Sequence, residues 1–334
     1  MPSLHAELDT IAARTGFSGI ISIDRSGEVD FAKAYGLADR GRGLPNTADT
    51  RFAIASGSKG FTALGVMSLV QDGTLELTTT ARSVLGEDLP LIDDDVTIEH
   101  LLSHRSGIGD YLDEDAGHEI TDYVMPVPVQ DLATTEQFLA VLGGYPMAFV
   151  PGERFTYCNG GFIVLALIAE RASGIPFHDL VHRRVCEPAG MLDTAFLRSD
   201  ELPGRAALGY LTDDSPRTNV FHLPVRGNGD GGIYSTTADI SAFWSALFAG
   251  RIVPKDLVAE MVRPRSDVPR EEKRYGLGFW LHASGNIVLL EGYDAGVSFR
   301  TAHDPDSSTT YTVISNTSEG AWGFVELLDG WIAT

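Results

Sequence analysis

The sequence predicts an α/β (α+β) protein: an antiparallel sheet built from both chain termini and flanked by helices, plus an all-helical lobe. Two observations predict this. Strand-like segments gather at the two ends of the chain, and glycine-closed helical patterns fill the middle. The economical arrangement is one sheet that uses both ends, with the helical region inserted between them. At 334 residues the chain is long for one simple core and suits two lobes sharing a cleft. The sheet lobe is expected at about 1–75 and 241–334, and the helical lobe at about 76–240, within a single domain over 1–334.

The elements follow in order. Residues 4–15 carry an amphipathic helical pattern. "GFSGIISIDRSGEVDFAKAYGLAD" reads as two strands around a turn at Arg25-Ser26-Gly27, a hairpin. Ser58–Gln71 has apolar residues on nearly every face, the mark of a buried helix, with Gly73 as its stop. "TIEHLLSHRSGI", "GGFIVLALIAERASG" and "ADISAFWSALFAG" read as further helices, each closed by glycine. The stretch 110–131 is acidic, proline-bearing and irregular, an excursion over the surface and a candidate lid. From Tyr275 onward strands return in "GLGFWLHA", "NIVLLEGY", "GVSFRTAHD" and "TYTVISN", before a last helix near Trp322–Ala333.

Bulk properties exclude several roles. Hydrophobic residues make up 43% and charged residues 21%, so the chain folds rather than staying disordered. A formal net charge of −21 repels nucleic acid and anionic lipid headgroups, and disfavours anionic substrates. Two cysteines, Cys158 and Cys186, do not make a disulfide framework, and a reducing compartment fits. The first residues lack the basic and apolar regions of a signal peptide, and no apolar run approaches about 18 residues. A cytoplasmic protein without membrane partners is the expectation.

Two segments carry chemistry. In "FAIASGSKGF", residues 52–61, Ser56 and Lys59 lie three apart, one turn along a helix face. A serine hydroxyl needs a base within hydrogen-bond reach, and a lysine desolvated by apolar neighbours is able to act as a neutral amine. Ser58 is adjacent to Lys59 and points away from it. The plainer reading of Ser-x-x-Lys is a helix-capping serine beside a solvated lysine. The position before a wholly apolar helix favours the chemical one. In "PGERFTYCNGGF", Tyr157 is a usable acid/base beside an ammonium, and Asn159 is able to hold the lysine and a substrate carbonyl. Taken alone, that pair reads as a glycine-rich turn.

In combination these segments resemble the serine hydrolases of the class C β-lactamase type, with their penicillin-binding and esterase relatives. The resemblance runs along essentially the whole chain. It includes "LLSHRSGI", "GNGDGGIYSTTADISAF" and "YGLGFWL" as ordered landmarks. It implies a single β-lactamase-like catalytic domain in which Ser56 is acylated, Lys59 is its base or proton relay, Tyr157 is the second acid/base and Asn159 positions substrate. No cofactor or metal is implied. The family's third motif reads Lys-Thr-Gly or His-x-Gly. By position, Tyr293-Asp294-Ala295 of "LEGYDAGVSFR" takes that place, with the oxyanion received by the N–H groups of Ser56 and Gly296. The triplet's cation is absent, which moves the expected substrate from β-lactams or D-amino-acid peptides toward neutral small-molecule esters or amides. Arg300 is a candidate substitute cation. A binding or scaffold protein that keeps the fold without turnover is the rival.

Other residues invite readings of their own. His178 and His182 in "HDLVH" have zinc-pair spacing, but the glutamate expected after the first histidine is missing, so a solvated helix face is preferred. His104 and Ser106 evoke a Ser/His pair, yet sit in a helix-closing signature and read as structural. Cys158, between Tyr157 and Asn159, reads as a small packed residue.

Overall fold

The computed structural model describes residues 3–112 and 120–333. Strands β1 (Gly19–Arg25) and β2 (Glu28–Tyr35) form the expected hairpin. Its turn residues Ser26 and Gly27 both have left-handed backbones, φ 53° and 83°, matching the twist of the strands they join. Short strands follow: β3 (Leu37–Asp39) pairs with β4 (Leu44–Pro45), and β5 (Phe52–Ala53) with β6 (Tyr234–Ser235). The rest of the sheet comes from β7 (Ser266–Val268), β8 (Lys273–Tyr275), β9 (Trp280–His282), β10 (Val288–Asp294), β11 (Val297–Asp304) and β12 (Thr309–Ser315).

These make one eight-stranded sheet in the order β2-β1-β12-β11-β10-β9-β8-β7, antiparallel at every pair. The chain's two ends meet inside it, Gly19 opposite Ser315. Alternation assigns the faces. Ile21, Leu289, Tyr311 and Val313 turn toward the terminal helices Leu4–Thr15 and Trp322–Ile332. Ile20, Leu290, Phe299 and Ile314 turn the other way, into a core shared with the helices Ser58–Gln71, Asn159–Ser173 and Thr237–Ala249. That continuous core ties the sheet to the helical region. Each large apolar side chain fully buried in it contributes roughly 1.5–3 kcal/mol.

The middle of the chain holds less helix than its pattern suggests. The "TIEHLLSHRSGI" helix spans only Ile98–Leu102, because His104 adopts a left-handed φ of 54° and turns the chain. Residues 113–119 of the 110–131 excursion, where the lid was expected, lie outside the described residues. Among the described residues, no single helix is long and apolar enough to cross a membrane.

Candidate active site

The nucleophile turn begins where β5 ends. Ala55 is held at φ 43°, an uncommon conformation for a residue with a side chain, and a 3-10 turn over Ala55–Gly57 leads into the Ser58–Gln71 helix. Ser58 fixes this turn. It is fully buried, its Oγ donates to the Ala55 carbonyl at 2.8 Å, and the same oxygen accepts the Ile233 N–H at 3.0 Å. Ser56 is left facing the cleft.

Lys59 is 2% exposed. Its Nζ donates to Ser56 Oγ, to Asn159 Oδ1 and to the Asp230 carbonyl, each at 2.8 Å. It also lies 4.9 Å from the centre of the Tyr157 ring. The residues expected from two distant segments therefore converge on one buried amine. Tyr157 packs at a tilt against His104, ring centres 4.3 Å apart, and lies nearly parallel to Trp280.

Asp230 entered the sequence reading only within the "GNGDGG" landmark. Its carboxylate accepts the Tyr111 hydroxyl at 2.5 Å. Burial pushes its carboxyl above the usual range, partly offset by Lys59 and Tyr111.

The third segment is placed differently from the sequence expectation. Gly292, not Ala295, meets the nucleophile turn: a Cβ there would stand 2.1 Å from the Ile54 carbonyl and 2.9 Å from Ser56 N. Ala295 and Gly296 form the turn between β10 and β11, with Asp294 paired to Val297. Gly296 has a left-handed φ of 71°, and its N–H donates to Ser318 Oγ at 2.8 Å, so it is not directed at Ser56. Ala295 is buried and its carbonyl accepts from Asn219. Asp294 accepts the Ala295 N–H and lines a second, smaller cavity with Tyr111 and Asp230. Of the four expected residues, only Tyr293 lines the cleft with Ser56, its hydroxyl donating to Glu319 at 2.8 Å. The match by position along the chain falls on the hairpin turn that follows β10, rather than on the β10 edge that meets Ser56. β9 pairs with β10 only at Val288 and Leu289, so the edge from Leu290 to Tyr293 runs past the last β9 partner toward the cleft.

The cleft has a volume of about 480 Å³, with Tyr157, Trp280, Tyr293 and Trp322 among its walls. Its floor is an ion chain. Lys273 contacts both Glu291 oxygens at 2.8 Å, Arg300 pairs with Glu291, and Arg300 also reaches Asp329 at 2.6 Å. Burial pushes Glu291 up, but Arg300 and Lys273 more than offset this and hold it below the usual carboxylate range. Arg300, the candidate substitute cation, does line the cleft, but it is committed to two carboxylates.

The remaining candidates separate from the site. His178 is buried rather than on a solvated face. Its Nε2 bonds the Gly227 carbonyl at 2.8 Å, and burial pushes it down to about 4. His182 turns instead toward Glu187. Among the described residues, no group of three or more His, Cys, Asp or Glu is arranged to hold a metal. Cys158 and Cys186 are buried free thiols, and burial raises both. Ser106 is buried. Burial and the Lys59 charge press His104 well below its ordinary value, so its ring is neutral.

Known proteins match the chain over nearly its whole length. The family described as Beta-lactamase matches residues 8–329. A penicillin-binding protein of Bacillus halodurans has the same fold, with a TM-score of 0.90 and 35% identity, covering 97% of this chain and 99% of that one. The esterase EstB of Burkholderia gladioli is 30% identical over 83% of this chain and 79% of its own length. A D-amino acid amidase of Ochrobactrum anthropi superposes with a TM-score of 0.79 at 27% identity, covering 97% and 95%. By fold, sequence and the order of its motifs, the chain belongs to the Beta-lactamase family and is a serine hydrolase.

Proposed function

We propose that the protein hydrolyses small-molecule esters or amides, with an esterase-like preference for neutral acyl groups, through an acyl-enzyme on Ser56. One observation carries the reading: Lys59 Nζ lies 2.8 Å from Ser56 Oγ and the same distance from Asn159 Oδ1, inside a buried pocket. Lys59 and Tyr157 act as one proton-transfer unit. They take the Ser56 proton as Oγ attacks the carbonyl carbon and return it to the leaving group. Water then cleaves the ester bond to Ser56. The developing oxyanion lies between the Ser56 N–H and the β10 edge at Gly292–Tyr293, which the close approach of Gly292 supports. Asn159 orients the substrate.

The balanced charges of the cleft floor support neutral substrates, since neither cation there is unpaired. Glu291 and Asp329 also bring carboxylates to the cleft wall, where they suit a substrate ammonium. An amino-acid amide is therefore the second reading, as the name of the Ochrobactrum relative suggests. The intact Ser56–Lys59–Asn159 contact speaks against a scaffold without turnover. We place the protein in a reducing, cytoplasmic setting, on the strength of its two free thiols. Turnover of p-nitrophenyl acyl esters, D-amino-acid amides and a carboxylate-bearing β-lactam tests the substrate class. Esters are expected to turn over fastest. A β-lactam preference would overturn the reading.

A further inference from the structure

Ser56 and Lys59 share one short segment, but Tyr157 and Asn159 arrive from another, and something must fix the second against the first. The bonds that do so come from the loop between His104 and Leu112. Thr156 N–H donates to the His104 carbonyl at 2.9 Å, and Cys158 N–H donates to His104 Nδ1 at 3.1 Å. These two donors flank Tyr157. The next two belong to Asp110: Asn159 N–H donates to Oδ2 at 2.5 Å and Gly160 N–H donates to Oδ1 at 2.8 Å. The Asn159–Ser173 helix has Cys158 at its N-cap with no side-chain cap of its own, so Asp110 supplies that cap from about fifty positions away.

We propose that Asp110 is a positioning residue for the reaction: its carboxylate, by holding the Asn159 and Gly160 N–H groups, sets Asn159 and Tyr157 against Lys59. The inference rests on the functional reading above. It assigns a role in acylation to a residue that does not touch the reacting atoms.

The arrangement needs the ionised form. A carboxylate accepts at both oxygens, whereas protonation turns one oxygen into a donor facing an N–H. Burial pushes Asp110 up to about 6, against the N–H bonds and the Lys59 charge that favour ionisation. The groups facing it are Lys59 from the nucleophile helix, Cys158 beside the capped helix, and Tyr111 and Tyr123 from its own excursion, two tyrosines on which Asp230 of the 227–232 turn and Asp294 at the end of β10 also act. Acylation therefore declines as pH falls through about 6. Asp110→Asn keeps the shape and one acceptor, sets an amide N–H against the second donor, and does not titrate.

The test is the rate of Ser56 labelling by a fluorophosphonate probe across pH 5–8, on wild type, Asp110→Asn and Asp110→Ala, with thermal melts to establish folding. The expected wild-type profile falls on the acid side. The asparagine variant is expected to be folded, about tenfold or more slower at neutral pH, and without that limb. The alanine variant is expected to be slower still. A folded asparagine variant with the wild-type rate and limb overturns the role of Asp110 alone. No labelling of wild-type Ser56 overturns the functional reading and this inference together.

Discussion

Gly292 lies so close to Ser56 that no side chain fits between them: a Cβ at residue 292 would stand 2.9 Å from the Ser56 backbone nitrogen. The nucleophile turn and the β10 edge are thus built to touch, and this contact defines where a substrate carbonyl must enter.

The first prediction is that Gly292→Ala lowers acylation by about a hundredfold and also destabilises the fold, by roughly 1–3 kcal/mol for overpacking. Backbone blocks the methyl, so little relaxation is open to it. Gly296→Ala is the contrast. It forces a side chain into a left-handed turn and costs stability, while labelling of Ser56 continues. Paired melts and probe-labelling rates check both.

The two serines should separate cleanly. Ser58→Ala removes a buried hydroxyl that both donates to Ala55 and accepts from Ile233, leaving an N–H unsatisfied. A cost of about 1–3 kcal/mol in stability is expected, with labelling retained. Ser56→Ala should do the reverse. Chemical denaturation and labelling of both variants test the division.

Lys59→Met should reduce acylation by roughly a thousandfold or more, as for members of interdependent catalytic units. Lys59→Arg should not rescue it, because a planar guanidinium does not reproduce a compact amine touching Ser56, Asn159 and Asp230. Single-turnover kinetics with a p-nitrophenyl ester distinguishes loss of acylation from loss of binding.

The ion chain predicts a pH dependence of stability. Glu291 is held below its ordinary value in the folded state, so its contribution is full above the ordinary carboxyl value and is lost as pH falls through the lowered folded one. Arg300→Met should destabilise by about 3–5 kcal/mol, because Glu291 and Asp329 lose a buried partner. It should also remove much of that acid sensitivity. Urea denaturation at several pH values reads both effects.

Local spacing made half of the site legible. Ser56 and Lys59 are one helical turn apart before an apolar helix, whereas Tyr157 and Asn159, a glycine-rich turn when taken alone, were legible only through the ordered resemblance of the segments to the family. The glycine-closed helices and the β1–β2 turn were legible from local pattern. "EGYDAG" was not, because it contains two glycines with different jobs. Gly292 is strand against the nucleophile and Gly296 is hairpin turn, and position along the chain alone favoured the wrong one. Asp110, Asp230 and the burial of His178 were also hidden. Each acts through a contact to a distant segment, and no local pattern marks such a contact.

Everything proposed for the cleft depends on Ser56 being the acylated residue. Intact-protein mass spectrometry after fluorophosphonate treatment, followed by peptide mapping, tests it most directly. One adduct is expected on wild type, carried by the peptide containing Ser56, and none on Ser56→Ala. An adduct that persists in Ser56→Ala, or that maps to Ser58 or His104, would contradict it.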